Sequence, residues 1–123
     1  MKKLLLIVAL LIGFSGVAYA DRLMAPSLWK NQRGSELRVT SVNGTSFRGT
    51  FTNLDPNFQC VGIPYPVTGI AGGGPTMFTV NFVKCATVTK WNGDVQGLGM
   101  SAQWVLQHNG QTQVGFDFFW RVN

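Results

Sequence analysis

Histidine and acidic residues are scarce in this 123-residue sequence, which contains one histidine and five aspartates and glutamates. The histidine, His108, lies in QHNGQT, a stretch with the composition of a hairpin turn. The acidic residues form no evident catalytic pair, and the glycines at 72–74 precede a proline and a strand rather than a phosphate-binding helix. We therefore predict that the protein is not an enzyme.

Clusters of basic residues are also lacking, although the formal net charge is +5. Apart from the pair at Lys2 and Lys3, the lysines and arginines are scattered singly along the chain. A nucleic-acid-binding surface needs basic residues grouped on one face. We predict a solvated surface and no nucleic-acid partner.

The N-terminal segment lacks the length of a membrane span. Residues 1–20, MKKLLLIVALLIGFSGVAYA, begin with two lysines, continue with an apolar run and end in small residues at Ala18-Tyr19-Ala20. This pattern is typical of a secretory signal peptide. No second apolar segment follows, and no cysteine follows directly to carry a lipid. We predict a secreted or periplasmic protein without a membrane partner.

The remaining residues, 21–123, suffice for one domain with one core. They contain both cysteines, Cys60 and Cys85. In an oxidising compartment an even count favours a disulfide, which would add about 3–4 kcal/mol in the chain-entropy model. The alternative, a metal-binding pair, lacks further ligands, so we predict no metal site.

The segment 21–123 has no convincing amphipathic helix and no internal repeat, whereas short β-rich runs alternate with Gly, Asn and Pro. Asn-Gly at 43–44 and 109–110 predicts two tight hairpins. The eight predicted strands are Leu28–Gln32, Glu36–Val42, Phe47–Thr52, Pro66–Ile70, Met77–Phe82, Thr87–Asn92, Met100–Gln107 and Val114–Val122. They favour an all-β fold, an eight-stranded antiparallel up-and-down β-barrel, with a sandwich as the alternative.

Alternation along the strands predicts an aromatic interior that also holds polar groups. The inward residues of the third, fifth, sixth and seventh strands are Phe47, Phe51, Phe78, Phe82, Thr87, Thr89, Trp91, Trp104 and Leu106. Asp117 shares the inner face of the eighth strand with Phe119, and Asn31 and Ser35 flank the first turn. Taken singly, these aromatics and threonines are ordinary core residues.

In combination, the interior residues have the composition of a small-molecule site. A buried hydroxyl without a partner costs about 1–3 kcal/mol, so the interior polar groups must bond to one another or to a ligand. Aromatic walls with a few oriented polar groups are typical of ligand pockets.

Seven motifs closely resemble those of the avidins and streptavidins, a family of biotin-binding eight-stranded barrels. They are WKNQRGS (29–35), GTFTN (49–53), PYPVTG (64–69), FTVNF (78–82), ATVTKWNG (86–93), AQWVL (102–106) and GFD (115–117). The motifs occur in the family's order and close to its spacing, between Leu28 and Val122. The resemblance implies biotin as a bound ligand and no cofactor.

The resemblance also implies a role for each interior polar group. The implied contacts are Asn31 and Ser35 to the ureido oxygen, Asp117 and Asn53 to the ureido N–H groups, Thr89 to the thioether sulfur, and Thr87 to the carboxylate of the valerate tail. The implied walls of the bicyclic ring are Trp91, Trp104, Phe82 and Leu106.

Two positions depart from the family pattern. Phe51 stands where the family usually has a tyrosine that donates to the ureido oxygen, a loss of about 1–3 kcal/mol if nothing replaces the bond. Phe82 replaces a common tryptophan and reduces the wall area. Weaker binding than in the tightest relatives is therefore expected.

Further differences concern assembly. Residues 105–116 contain no tryptophan of the kind that tetrameric relatives lend to a neighbouring pocket, whereas Cys60 and Cys85 match the disulfide of the dimeric members. That disulfide ties the loop after the third strand to the start of the sixth. The outward residues Phe116, Phe118 and Trp120 predict a homodimer or an assembly of dimers, unless residues 21–27 cover them. A lipocalin-like carrier or an exported inhibitor barrel is the alternative function.

Overall fold

A computed structural model describes residues 23–71 and 74–123, so the predicted signal peptide lies outside the described residues. The described chain contains eight β-strands and a short 3-10 helix, Val83–Cys85. The strands are β1 (Ser27–Asn31), β2 (Glu36–Asn43), β3 (Ser46–Thr52), β4 (Pro64–Ile70), β5 (Thr76–Phe82), β6 (Thr87–Gln96), β7 (Gly99–His108) and β8 (Gln111–Arg121).

The strands form a closed antiparallel barrel in sequence order, which confirms the predicted fold and rules out the sandwich. Each strand pairs with the next, and β1 closes the barrel against β8 with Asn31 opposite Phe119. Because the strands run up and down, the end of each odd-numbered strand and the start of the next even-numbered strand lie at the same end of the barrel. The predicted polar residues therefore collect at one opening.

Strand lengths differ from the predicted lengths mainly in β6 and β8. The ladder between β6 and β7 continues through Gly93 to the pair formed by Gln96 and Gly99. Gly93 fits because a Cβ there would overlap the backbone of β7. Cross-strand hydrogen bonding thus extends β6 beyond the predicted end at Asn92.

The two Asn-Gly hairpins differ in their turn residues. Between β7 and β8 the loop is Asn109-Gly110, and both residues have positive φ, 52° and 76°, as a type I′ turn requires. Between β2 and β3 the loop residues are Gly44 and Thr45, with only Gly44 at positive φ, 61°. Asn43 instead ends β2, paired with Ser46.

The barrel interior follows the predicted alternation. In β5 every second residue from Thr76 to Phe82 is buried, and in β6 every second residue from Thr87 is buried. Phe78 stacks on Trp91 with ring centroids 4.8 Å apart, and Phe47 meets Phe78 edge to face. The aromatic face lies inside, as predicted.

Cys60 and Cys85 form a disulfide, which confirms the predicted pairing. Their Cα atoms lie 6.0 Å apart across a sequence separation of 25 residues. The bridge joins the loop after β3 to the 3-10 helix before β6. Within the described ranges, no helix is long and apolar enough to cross a membrane.

Candidate functional site

A cavity of about 220 Å³ opens at the end of the barrel where β1, β3, β5 and β7 finish. Its lining includes every predicted site residue except Thr87. The lining residues are Asn31, Arg33, Ser35, Phe51, Asn53, Asp55, Asn57, Phe58, Phe82, Thr89, Trp91, Trp104, Leu106, Gln113 and Asp117. The tertiary structure therefore brings residues from β1 to β8 to one pocket.

The tight turn between β1 and β2 sets the orientation of Asn31 and Ser35. The Asn31 side-chain oxygen accepts the backbone N–H groups of Arg33 at 3.0 Å and Ser35 at 2.9 Å. Gly34 completes the turn at φ 82°, a conformation that favours glycine. Because the oxygen is occupied, the Asn31 amide N–H groups are left to face the cavity, with no acceptor among the described residues.

The Ser35 hydroxyl is arranged in a similar way. Its oxygen accepts the backbone N–H of Leu54 at 2.8 Å, which holds the turn against the loop after β3. Ser35 is buried, and its O–H donates to no described protein group. The first turn thus presents N–H and O–H donors to the cavity, and both are fixed through their acceptor atoms.

The loop after β3 is built by side-chain to backbone hydrogen bonds. Asn53 accepts the N–H of Asp55 at 2.9 Å, and Asp55 accepts the N–H of Asn57 at 3.0 Å. Such Asx turns fix a loop without regular structure. The backbone carbonyl of Asn53 also accepts the N–H of Gly62 at 2.8 Å, which closes the base of the loop. Asn53 is therefore held beside the cavity.

Asp117 is the buried carboxylate of the site. Its Oδ2 accepts the indole N–H of Trp91 at 2.8 Å, and its Oδ1 accepts the amide of Gln32 at 3.0 Å. Oδ1 also pairs with the guanidinium of Arg33. A buried charge is tolerated when it is paired and hydrogen-bonded, and Asp117 meets both conditions.

Aromatic rings form the walls around these polar groups. The ring centroids of Phe51 and Trp91 are 4.8 Å apart. Phe51 also meets Phe82 edge to face, with a centroid distance of 6.1 Å. Tyr65 supports Phe82 from behind at 5.2 Å. Phe51 is almost completely buried and carries no hydroxyl, so the wall at this position is apolar.

Trp104 forms the opposite wall and depends on a glycine. It pairs with Trp91 on β6 and with Gly115 on β8. A Cβ at position 115 would overlap the indole ring, so only glycine leaves room for Trp104 in this orientation. The buried indole N–H of Trp104 has no hydrogen-bond partner in the described part of the chain.

Phe58, on the loop after β3, extends the aromatic wall of the cavity. Its ring meets Phe82 edge to face at 4.9 Å, and its backbone N–H donates to the carbonyl of Asp55 at 3.0 Å. Phe58 stands two residues before Cys60, so the disulfide to Cys85 limits how far its loop can move away. The loop after β3 thus adds an aromatic side chain to the cavity lining.

Thr87 is buried but does not line the cavity. Its hydroxyl lies 3.1 Å from the carbonyl oxygen of Cys85 and 3.1 Å from the Nδ1 atom of His108. His108 itself is the last residue of β7, directly before the hairpin turn. The structure therefore places Thr87 behind the lining, engaged with protein groups, while Thr89 reaches the cavity.

Sequence reasoning did not find every lining residue. The additional ones are Arg33, Asp55, Asn57, Phe58 and Gln113. Four of these five lie in loops, where period-two alternation gives no facing information. For Arg33 a signal was present, because it stands between Asn31 and Ser35 within one of the seven motifs.

Comparison with known proteins identifies the family. The sequence profile described as Avidin family matches residues 20–122. The chain belongs to the avidin family. Afifavidin from Afifella pfennigii is 34% identical over 109 residues, which cover 79% of this chain and 69% of that protein. The motif resemblance seen in the sequence is therefore confirmed.

Solved structures of bacterial avidins resemble this barrel. The bradavidin2–biotin complex is 42% identical, covers 82% of this chain and all (100%) of that chain, and superimposes with a TM-score of 0.78. Apo shwanavidin is 29% identical over 82% of this chain and 97% of its own, with a TM-score of 0.75. Avidin-family proteins are non-catalytic biotin binders, in agreement with the prediction that this chain is not an enzyme.

Proposed function

We propose that this protein binds biotin, without catalysis, one molecule in each barrel. The observation that carries the proposal is the polar end of the cavity. There, donors of Asn31 and Ser35 that have no acceptor among the described residues lie in the same aromatic pocket as the carboxylate of Asp117. A cyclic urea presents one carbonyl oxygen and two N–H groups, so it matches this set of donors and acceptors. Similarity to bradavidin2, which was solved in complex with biotin, supports the choice of ligand.

The ureido oxygen would accept hydrogen bonds from Asn31 and Ser35. Both side chains are held by their own acceptor atoms, so little rotamer freedom is lost when the ligand arrives. One ureido N–H would donate to Asp117 and the other to Asn53, whose oxygen can accept a second bond besides that from Asp55. In a dry pocket these bonds are stronger than in water.

The bicyclic ring would pack between Trp91 and Trp104, with Phe82 and Leu106 completing the walls. Thr89 would approach the thioether sulfur from the inner face of β6. Contact between Thr87 and the valerate carboxylate remains a prediction. It requires the Thr87 hydroxyl to leave, or to share, its present contacts with Cys85 and His108.

Closure of the site would come from the same chain. The loop between β7 and β8 is only Asn109-Gly110, which is too short to reach a neighbouring pocket. Phe58 would instead cover the ligand, and the Cys60–Cys85 disulfide would pre-order its loop. Pre-ordering lowers the entropy lost on binding and slows ligand release.

The deciding experiment is calorimetric titration of the refolded, oxidised protein with biotin, with competition by displacement if the curve is too steep to fit. Saturation at one biotin per chain is expected, together with a higher melting temperature. Absence of both heat and melting shift at excess biotin would reject the proposal. The same protein would then be screened with apolar ligands, because a lipocalin-like carrier is the alternative.

We also propose that the chain forms a homodimer or an assembly of dimers. Phe116, Phe118 and Trp120 are 73%, 50% and 40% exposed on the outer face of β8, a large apolar stripe for an isolated barrel. Analytical ultracentrifugation should give at least twice the chain mass, and Phe116→Ser together with Phe118→Gln should reduce it. A monomer at high concentration would contradict this assembly.

The N-terminal pattern supports export. We propose that residues 1–20 are removed and that residues 21–123 act outside the cytoplasm, where the disulfide can form. Mass spectrometry of protein recovered from the periplasm or the medium should give a chain that begins at Asp21. Cytoplasmic protein that keeps Met1 would contradict it.

A further inference from the structure

Arg33 lies at the polar end of the cavity. The other donors proposed to bind the ligand there, Asn31 and Ser35, are neutral. Its guanidinium pairs with Oδ1 of Asp117, while its Nε lies 3.7 Å from Asp55 on the loop after β3. The guanidinium carbon also lies 5.8 Å from the ring centroid of Trp104, a cation–π distance. Arg33 thus contacts a wall, the loop and the buried carboxylate at once.

The carboxylate of Asp117 is almost entirely covered in this arrangement. Its side chain is 2% exposed, because Trp91, Gln32 and Arg33 surround its two oxygens. Oδ1 already has two donors, Gln32 and Arg33, so a ligand N–H that binds this oxygen must displace one of them. A ligand at Oδ1 therefore competes with a protein group.

Two of the three covering groups are firmly held. Gln32 donates to the carbonyl of Phe116 at 3.0 Å as well as to Asp117, and it accepts the backbone N–H of Phe118 at 2.9 Å. Trp91 is buried in the aromatic stack. By contrast, the Arg33 side chain is 37% exposed and stands on a turn. Arg33 is the group that can leave.

Arg33 has a second acidic partner, Asp55, on the loop after β3. Asp55 already lies within ion-pair distance of its Nε atom, so a guanidinium that releases Asp117 keeps an acidic partner. Asp117 would lose its cation and keep the neutral donors of Trp91 and Gln32, to which the ligand N–H would be added in place of the guanidinium. Arg33 is thus paired with Asp117 in this structure and would be paired with Asp55 when the ligand is bound.

We propose that Arg33 is an affinity-determining residue that competes with the ligand for Oδ1 of Asp117 and is displaced when the ligand binds that oxygen. The inference rests on the proposed function, because biotin is the ligand whose N–H groups would take the carboxylate. Without Arg33, the carboxylate would be open to the ligand from the start. Removal of the arginine should therefore tighten binding and speed association.

The test compares biotin binding by the original chain, Arg33→Leu and Arg33→Lys, with Arg38→Leu as a control that removes an exposed arginine on β2. Dissociation constants come from displacement calorimetry and association rates from stopped-flow mixing. We expect Arg33→Leu to lower the dissociation constant about tenfold and to raise the association rate. Arg33→Lys keeps the competing charge but lacks the planar guanidinium, so its affinity should fall between those of the original chain and Arg33→Leu. Arg38→Leu should stay close to the original chain.

A second comparison separates competition from a merely structural role. In an Asp117→Asn background the carboxylate is gone, so Arg33→Leu should no longer tighten binding. A structural effect of Arg33 on the turn would persist in that background. If Arg33→Leu fails to fold, Arg33→Gln gives the same comparison with a neutral donor and should show a smaller gain.

The outcomes distinguish the two proposals. If the original chain binds biotin and Arg33→Leu binds no more tightly, the role of Arg33 is overturned and the proposed function stands. If only Arg33→Leu binds, competition is supported and the proposed function fails for the original chain. If neither protein binds, both proposals are overturned.

Discussion

The indole nitrogen of Trp91 donates a hydrogen bond to Oδ2 of Asp117 over 2.8 Å. The two residues are 26 positions apart and lie on β6 and β8, with β7 between them. One side chain thus serves both as a wall of the cavity and as a support for its carboxylate. This contact couples the orientation of Asp117 to the packing of the aromatic core.

Trp91→Phe should weaken both stability and biotin binding. The ring surface is largely kept, but Asp117 loses a charge-assisted hydrogen bond, which is worth about 1.5–3 kcal/mol. Thermal unfolding and displacement calorimetry measure the two effects. Trp120→Phe, on the outer face of β8 and away from the cavity, is the matched control and should leave biotin affinity unchanged. Unchanged affinity in Trp91→Phe would mean that Asp117 is oriented by Gln32 and Arg33 alone.

Asp117→Ala should raise the dissociation constant for biotin about 10- to 150-fold, because the ligand N–H loses a charged acceptor. The control, Lys90→Ala, removes an exposed charge on the outer face of β6 and should have no such effect. Melting temperatures of both proteins are measured without ligand. Equal affinities for the two variants would show that the interior carboxylate has only a structural role.

Phe51→Tyr should tighten biotin binding by about 1–3 kcal/mol if the new hydroxyl donates to the ureido oxygen beside Asn31 and Ser35. Phe51 lines the cavity, so its added hydroxyl would replace a donor that this chain lacks. Titration of the variant and of the original chain checks the prediction. A lower melting temperature without any gain in affinity would show that the hydroxyl is buried without a partner.

Gly115→Ala should displace Trp104 and cost about 1–3 kcal/mol of stability, because its Cβ overlaps the indole ring. Biotin affinity should fall as the wall moves. Gly74→Ala is the control, since a Cβ there meets no atom within 4 Å. Tryptophan fluorescence and thermal unfolding report the two effects. A Gly115→Ala protein with unchanged fluorescence and affinity would contradict the close approach.

Joint replacement of Cys60 and Cys85 by serine should lower the free energy of unfolding by about 3–4 kcal/mol in the chain-entropy model. It should also speed biotin release, because the loop that carries Phe58 is no longer tied to the start of β6. Denaturant unfolding and a biotin off-rate measurement test both parts. A slower or unchanged off-rate would show that the disulfide does not slow biotin release.

The local alternation of apolar and polar residues was enough to predict the barrel and the residues on its inner face. Alternation in β5 and β6 placed Phe82, Thr89 and Trp91 inside because side chains in a strand point to opposite faces with a period of two. The motif resemblance then indicated which of these interior residues would meet a ligand. Period-two alternation also placed Thr87 inside, but it could not show that this hydroxyl contacts Cys85 and His108 rather than the cavity.

The sequence by itself determined the strand order, the buried aromatic face and the cysteine pair, since these follow from local periodicity and from an even cysteine count. Only the tertiary structure decided what the loops bring to the cavity. Phe58 reaches Phe82, and Arg33 reaches Asp117 across 84 residues, through turns whose course depends on individual side-chain to backbone bonds. No repeating pattern encodes such contacts, because they form only after barrel closure brings the turn after β1 beside β8.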